Sequence, residues 1–75
     1  MMPLSFANEG YLFKVVMVKG NPDAKKHLED IGFVPDSEVN VISKQGGSVI
    51  VNVKNTRVAI GNSMAAKIMV EECAI

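Results

Sequence analysis

The segment that decides the fold is NPDAKKHLEDIGFVPDSEVNV, residues 21–41, because both ends of a short helix can be read in it. Asn21 is a good N-cap, and Pro22 suits the first helical position. Gly32 is placed for a left-handed C-cap, and a proline three residues later prevents the helix from continuing. The segment therefore predicts one α-helix over Pro22–Ile31, followed by a turn and a strand.

The helix carries a single apolar stripe. Ala24, Leu28 and Ile31 fall at positions i, i+4 and i+7, which lie on one face of a helix. Charged residues lie away from that stripe, and Glu29 and Asp30 place negative charge in the last turn, which disfavours the helix slightly. We expect one side of the helix to pack on the rest of the chain.

Short segments rich in β-branched residues flank the helix and indicate strands joined by tight turns. The predicted strands are Tyr11–Lys19, Glu38–Lys44, Ser48–Lys54, Arg57–Ile60 and Ile68–Glu71. One helical turn is predicted over Met64–Lys67. The first strand is apolar on both faces around Val16, which indicates either burial of both faces or a bulge. Five short strands in a chain of this length predict a mostly β fold, a small closed barrel in which closure removes open sheet edges.

Composition limits the classes of function. The chain has 75 residues, which predicts a single domain over residues 1–75 with one small core. Eight basic and eight acidic residues give a formal net charge of +0, which argues against nucleic acid and against an anionic membrane surface as partners. The single cysteine excludes an intrachain disulfide. Neither a signal peptide nor a membrane-spanning run is visible, so we expect a cytoplasmic protein that is not membrane-inserted.

Four pieces of the chain together carry a family resemblance: Pro3–Ser5 with Gly10, Leu28–Pro35 with Val39 and Val41, Arg57–Ile60, and Ala65 with Ile68–Val70. Their order and spacing resemble the FeoA family, the ferrous iron transport protein A domains. The resemblance implies an SH3-like β-barrel with an inserted helix and no enzymatic activity. It also implies a cytoplasmic accessory protein that contacts the GTPase region of the FeoB-type ferrous iron transporter. Related domains form the C-terminal module of metal-dependent repressors.

Three positions depart from the family pattern. Asp36 stands where the family has glycine after the motif proline, and it favours a type I turn over a type II turn. Asn55 replaces another glycine and can take the left-handed conformation. Gly61 stands where the family tends to have a larger or basic residue. If that residue helps to bind the partner, this chain lacks its contribution.

The helix also holds a candidate metal site. His27 is the only histidine, with Asp23 four residues before it and Asp30 three residues after it, so one ion could meet two or three of these side chains. Imidazole and carboxylate ligands suit ferrous iron or zinc, held weakly. The alternative is a plain polar helix face. Cys73 has no spaced partner and indicates no metal site by itself.

The apolar loop after the helix is the candidate partner-binding region. Phe33 and Val34 are either buried at the end of the barrel or exposed for contact with another protein. The family resemblance implies that the helix and this loop form the contact region, with Leu28, Phe33, Val34 and Pro35 as the contact residues.

No catalytic set accompanies these features. Gly46–Gly47 lacks the Lys-Ser/Thr of a phosphate-binding loop, and no nucleophile motif surrounds any serine. The resemblance to the FeoA family gives the leading hypothesis, an accessory protein of ferrous iron uptake that acts by protein–protein contact, with a weak homo-oligomer left open. The alternative is a stand-alone metal-binding or regulatory module similar to the repressor C-terminal domain.

Overall fold

Six antiparallel strands and one ten-residue helix build the fold, in a computed structural model that describes residues 1–73. The strands are β1 (Met2–Pro3), β2 (Leu12–Val18), β3 (Glu38–Gln45), β4 (Ser48–Val53), β5 (Thr56–Gly61) and β6 (Ile68–Glu72). Helix α1 (Pro22–Ile31) connects β2 to β3, and the short helix α2 (Asn62–Ala65) connects β5 to β6. A 3₁₀ turn, Leu4–Phe6, follows β1. The predicted mostly β class and the predicted bounds of α1 are confirmed.

The strands form one sheet in the order β1-β6-β2-β3-β4-β5. Strands β2, β3, β4 and β5 are neighbours in chain order, whereas β6 returns to pair with the other side of β2. Within residues 1–73, β5 pairs with β4 alone, so backbone pairing between β5 and β1 does not close the sheet. The expectation that closure removes every open edge is wrong for β5.

The core lies on the inner face of this sheet. Alternation places Val39 and Val41 of β3 and Val49, Val51 and Val53 of β4 inward, and all five are fully buried. Helix α1 contributes Leu28 to the same core, with Ile31 packed at its margin. The stripe that the sequence predicts is thus the side of the helix that packs.

A bulge interrupts β2. The register between β2 and β6 shifts between Val15 and Met17, so Val16 has no direct partner in that ladder. Of the two alternatives for this strand, the bulge is the one that the structure shows. A second register shift, between Val41 and Ser43, separates β3 from β4 at Ile42, which is partly exposed.

Backbone groups at both ends of α1 have hydrogen-bond partners, as the sequence predicts. The Ala24 N–H donates to Asn21 Oδ1 at 2.8 Å. At the other end Gly32 has φ of 131°, and its N–H donates to the carbonyls of Leu28 and Glu29. These contacts provide partners for N–H and C=O groups that a helix end leaves unpaired.

The turn after α1 differs from the sequence expectation. Asp36 has φ of 74°, and the Ser37 N–H donates to the Val34 carbonyl at 3.0 Å. A positive φ at this position, with Pro35 before it, defines a type II turn, so the expected type I turn is wrong. The Asp36 N–H donates to the Val15 carbonyl at 2.8 Å, which ties the turn to β2 and explains why the left-handed conformation is retained.

Two further differences are local. Helix α2 begins two residues earlier than predicted, because the Asn62 N–H donates to the Gly47 carbonyl at 2.9 Å and starts the helix directly after β5. Strand β1 was not predicted, because two residues carry no periodic pattern. Asn55 has φ of 63°, as expected, and it shares the β4–β5 turn with Lys54, which has φ of 51°.

Candidate functional site

The predicted partner-binding loop is only partly on the surface. Leu28 and Phe33 have no exposed surface and belong to the core. Val34 is half-buried and Pro35 is exposed. The structure therefore shows the core-capping alternative for Phe33, and direct contact by Leu28 or Phe33 does not fit their burial. A partner-binding role of this loop stays a prediction that depends on Val34 and Pro35.

A groove lies between α1 and the edge of β5. It has a volume of about 210 Å³ and is lined by His27, Leu28, Ile31, Val58, Ala59, Ile60, Gly61 and Met64. Ile31, Val58 and Met64 are half-buried, so each still offers apolar surface. Apart from the imidazole of His27, every lining side chain is apolar. Sequence reasoning noted Gly61 as a departure but did not place it beside the helix.

The candidate metal ligands do not come together as a site of three. Among residues 1–73, no three His, Cys, Asp or Glu side chains are arranged to hold a metal ion. Asp23 and Asp30 are seven positions apart on α1, about 10 Å along the helix axis, which is too far for one ion to reach both. Asp30 also lies 3.9 Å from the Lys26 ammonium in an exposed i,i+4 pair. The donor set therefore does not fit a metal held by three protein ligands, and a contact with two ligands stays a prediction.

Two other surface depressions are weaker candidates for a binding site. A broad concavity of about 690 Å³ lies on the outer face of β2, β3 and β4 and is mostly polar. Lys14 and Lys54 line it together with Asp36 and Glu38, so its charge is mixed and selects neither anions nor cations. Cys73 lines a different depression, with Lys14, Glu38, Glu71 and Glu72, and His27 does not line it.

Comparison with known proteins assigns the family. The FeoA domain model matches residues 2–72 of this chain. The chain belongs to the FeoA domain family. This membership makes it one of the non-enzymatic accessory proteins of ferrous iron transport, and both the predicted family and the predicted lack of enzymatic activity agree with it.

Relatives of this FeoA chain agree with that family. A Methanocaldococcus jannaschii protein named "Putative Fe(2+) transport protein A" is 39% identical over 72 residues, covering 96% of this chain and 88% of the relative. A crystal structure described as iron uptake regulatory protein (FeoA) is 30% identical, with a TM-score of 0.88 and coverage of 96% of both chains.

The fold class is confirmed by a third relative. Stenotrophomonas maltophilia FeoA, solved in complex with zinc and described as an SH3 domain protein, is 28% identical with a TM-score of 0.83. The match covers 95% of this chain and 91% of that one. The present FeoA chain therefore has the predicted SH3-like fold. No helix among its residues 1–73 has both the length and the apolar character needed to cross a bilayer.

Proposed function

We propose that this FeoA chain is a cytoplasmic accessory protein of ferrous iron uptake that acts by contacting the GTPase region of a FeoB-type transporter. The observation that carries the proposal is the 39% identity, over 96% of the chain, to a protein named for Fe²⁺ transport. Ferrous iron is the cargo of the system, and the role of this chain lies in protein–protein contact.

The surface beside α1 supports contact as the mode of action. Pro35 and half-buried Val34 leave the loop after the helix accessible. The apolar groove between α1 and β5 lies next to the same helix. Apolar surface held by rigid elements is typical of the centre of a protein–protein interface.

A binding measurement with purified components tests the proposal. The GTPase region of the FeoB-type transporter from the same organism is titrated with this chain in a calorimeter, and we expect saturable binding. Val34→Asp places a charge in the loop and is expected to weaken binding while the fold persists. Asn52→Asp, the same change in charge at an exposed position on the outer face of β4, is the matched control. Absence of binding at high micromolar concentration would refute the adaptor role.

A second candidate is a weak metal-binding or regulatory module. It is favoured by the solved complex of Stenotrophomonas maltophilia FeoA with zinc. In this chain a weak site would combine His27 with either Asp23 or Asp30, with solvent completing the coordination. Titration with zinc or ferrous iron is then expected to show weak binding that His27→Ala abolishes. A flat titration of the unmodified protein would eliminate this candidate.

A further inference from the structure

We propose that the open edge of β5 is a docking site for an extended peptide segment of a partner protein, which adds to the sheet as a further strand. The proposal rests on the proposed function only for the identity of that partner. The first observation is the unpaired edge. Strand β5 pairs with β4 along all six of its residues, and within residues 1–73 no other strand pairs with its outer side. Its last residue, Gly61, is the N-cap of α2, so the Gly61 carbonyl belongs to that helix.

The turn that precedes β5 determines which backbone groups are free. Lys54 and Asn55 form a two-residue turn with positive φ at both positions, so Val53 and Thr56 form the hydrogen-bonded pair that closes the hairpin. Hydrogen-bonded and non-hydrogen-bonded pairs alternate along an antiparallel ladder. The backbone N–H and C=O groups of Val58 and Ile60 therefore point toward β4. The backbone N–H and C=O groups of Arg57 and Ala59 point outward and are free for pairing with an added strand.

Few features protect this edge against an additional strand. Proteins usually blunt exposed edges with proline, bulges or inward-pointing charges. β5 contains no proline, and its ladder with β4 has no register shift. Ala59 and Gly61 are small, and a Cβ built at Gly61 would meet no atom within 4 Å. A second backbone can therefore approach this edge closely.

The groove gives the incoming strand its side-chain specificity. In strand addition, main-chain hydrogen bonds supply affinity, and pockets for alternate side chains supply specificity. The groove of about 210 Å³ lies along β5 from Val58 to Gly61, and its other walls are α1 and Met64 of α2. Alternate side chains of an added strand would point into this space, where they meet Ile31, Val58 and Met64. The peptide must therefore carry apolar residues at alternate positions.

Charge indicates one more feature of the peptide. Arg57 is exposed at the outward-facing start of β5. The ion pair found among residues 1–73 is Lys26–Asp30, so Arg57 has no carboxylate partner in that part of the chain. An acidic side chain on the added strand, opposite Arg57, would be complementary. A second copy of this chain fits less well, because pairing of two β5 strands would bring two α1 helices to the same side of the shared edge.

Hydrogen exchange tests the edge itself before any partner is known. In the free protein we expect the amides of Arg57 and Ala59 to exchange much faster than those of Val58 and Ile60. The probe is a synthetic peptide of alternating valine and threonine with one glutamate at its end. We expect it to slow exchange at Ala59 and to shift NMR signals of Ile31 and Met64. The same peptide with N-methyl groups on its pairing amides should do neither.

Variants then connect the edge to the partner. Ala59→Pro removes an outward N–H that makes no bond to β4, so the fold should persist, whereas Ala59→Val keeps that N–H and is the matched control. We expect Ala59→Pro to weaken binding of both the probe peptide and the transporter GTPase region by about tenfold or more. Should Ala59→Pro disturb the fold, Gly61→Leu places a bulky side chain at the open end of the β5 edge, where a Cβ meets no atom within 4 Å, and the same loss is expected.

The outcomes separate this proposal from the proposed function. Equal binding of the GTPase region by wild type, Ala59→Pro and Gly61→Leu overturns the edge site and leaves the adaptor role intact. Binding of the peptide without binding of the GTPase region supports the edge site and refutes the adaptor role. A dimer of the chain that Ala59→Pro abolishes, with no binding of the peptide, makes a second copy the occupant and overturns the proposal.

Discussion

Phe33 is the residue at which the loop after α1 becomes part of the core. Its side chain is fully buried, so truncation to alanine should cost about 3–5 kcal/mol. That is a large share of the roughly 5–15 kcal/mol by which a small domain is stable. We expect Phe33→Ala to lower the urea midpoint strongly and half-buried Val34→Ala to lower it much less. Circular dichroism measures both midpoints, and equal midpoints would contradict the burial of Phe33.

Asp36 holds a backbone conformation that few side chains adopt. With φ of 74°, the residue lies in the left-handed region, which aspartate tolerates and a β-branched residue does not. We expect Asp36→Val to lose about 1–3 kcal/mol of unfolding free energy. Asp36→Gly should be at least as stable as the wild type. Urea unfolding measures both variants, and a valine variant as stable as the glycine variant would mean that the turn is not type II.

These two residues show what the sequence can and cannot predict about single positions. The tolerance of Asn55 for positive φ was predictable from its residue type. The type II turn at Asp36 was not, because its N–H is held by the Val15 carbonyl, a contact between residues far apart in the chain. The same limit applies to Phe33. An apolar residue outside a periodic element gives no sign of which way its side chain points.

At the scale of elements, α1 was predictable because the residues at its two ends, the N-cap Asn21 and the C-cap Gly32, are recognisable in the local sequence. Asn21 caps the first turn through the bond from the Ala24 N–H, at 2.8 Å. We expect Asn21→Ala to cost about 1 kcal/mol, because it leaves a donor at the helix start without its partner. Asn21→Asp keeps an acceptor and should cost much less. Thermal unfolding compares the two variants, and an alanine variant with an unchanged Tm would mean that the cap adds nothing.

Elements without such signals were misplaced or missed. Strand β1 has two residues, and its existence depends on pairing with β6 near the far end of the chain. Helix α2 has no side-chain cap at Gly61, so local sequence does not show where it starts. The metal prediction failed as a three-ligand site for a related reason. His27 is close enough in sequence to Asp23 and to Asp30 to share an ion with either one. The two aspartates are seven positions apart on the helix, however, and cannot both reach the same ion.

At the scale of the molecule, strand order creates the candidate site. The local pattern of β5 shows a strand but does not show that it ends the sheet or that α1 lies beside its open edge. The first fact depends on β6 pairing with β2 instead of with β5, and the second is seen in the groove that residues of α1 and β5 line together. The groove therefore could not be predicted from the sequence. Gly61 was visible only as a departure from the family pattern, and the structure gives it a position at the mouth of that groove.

The charge balance of the whole chain leads to a prediction about binding. With eight basic and eight acidic residues and a formal net charge of +0, long-range attraction to a charged partner should be small. Between about 0.01 and 0.1 M salt the Debye length falls from about 30 to about 10 Å. Over that range we expect the Kd for the transporter GTPase region to change by less than about threefold, because apolar contact and backbone pairing are little screened.

Arg57 provides the control for this prediction. Arg57→Glu should weaken binding at every salt concentration if an acidic residue faces it, while Arg57→Gln should weaken it less. Titrations at several salt concentrations measure both variants against the wild type. A Kd that rises tenfold or more with salt would show instead that a charged surface dominates recognition. In that case the contact face would be a charged surface and not the apolar groove beside β5.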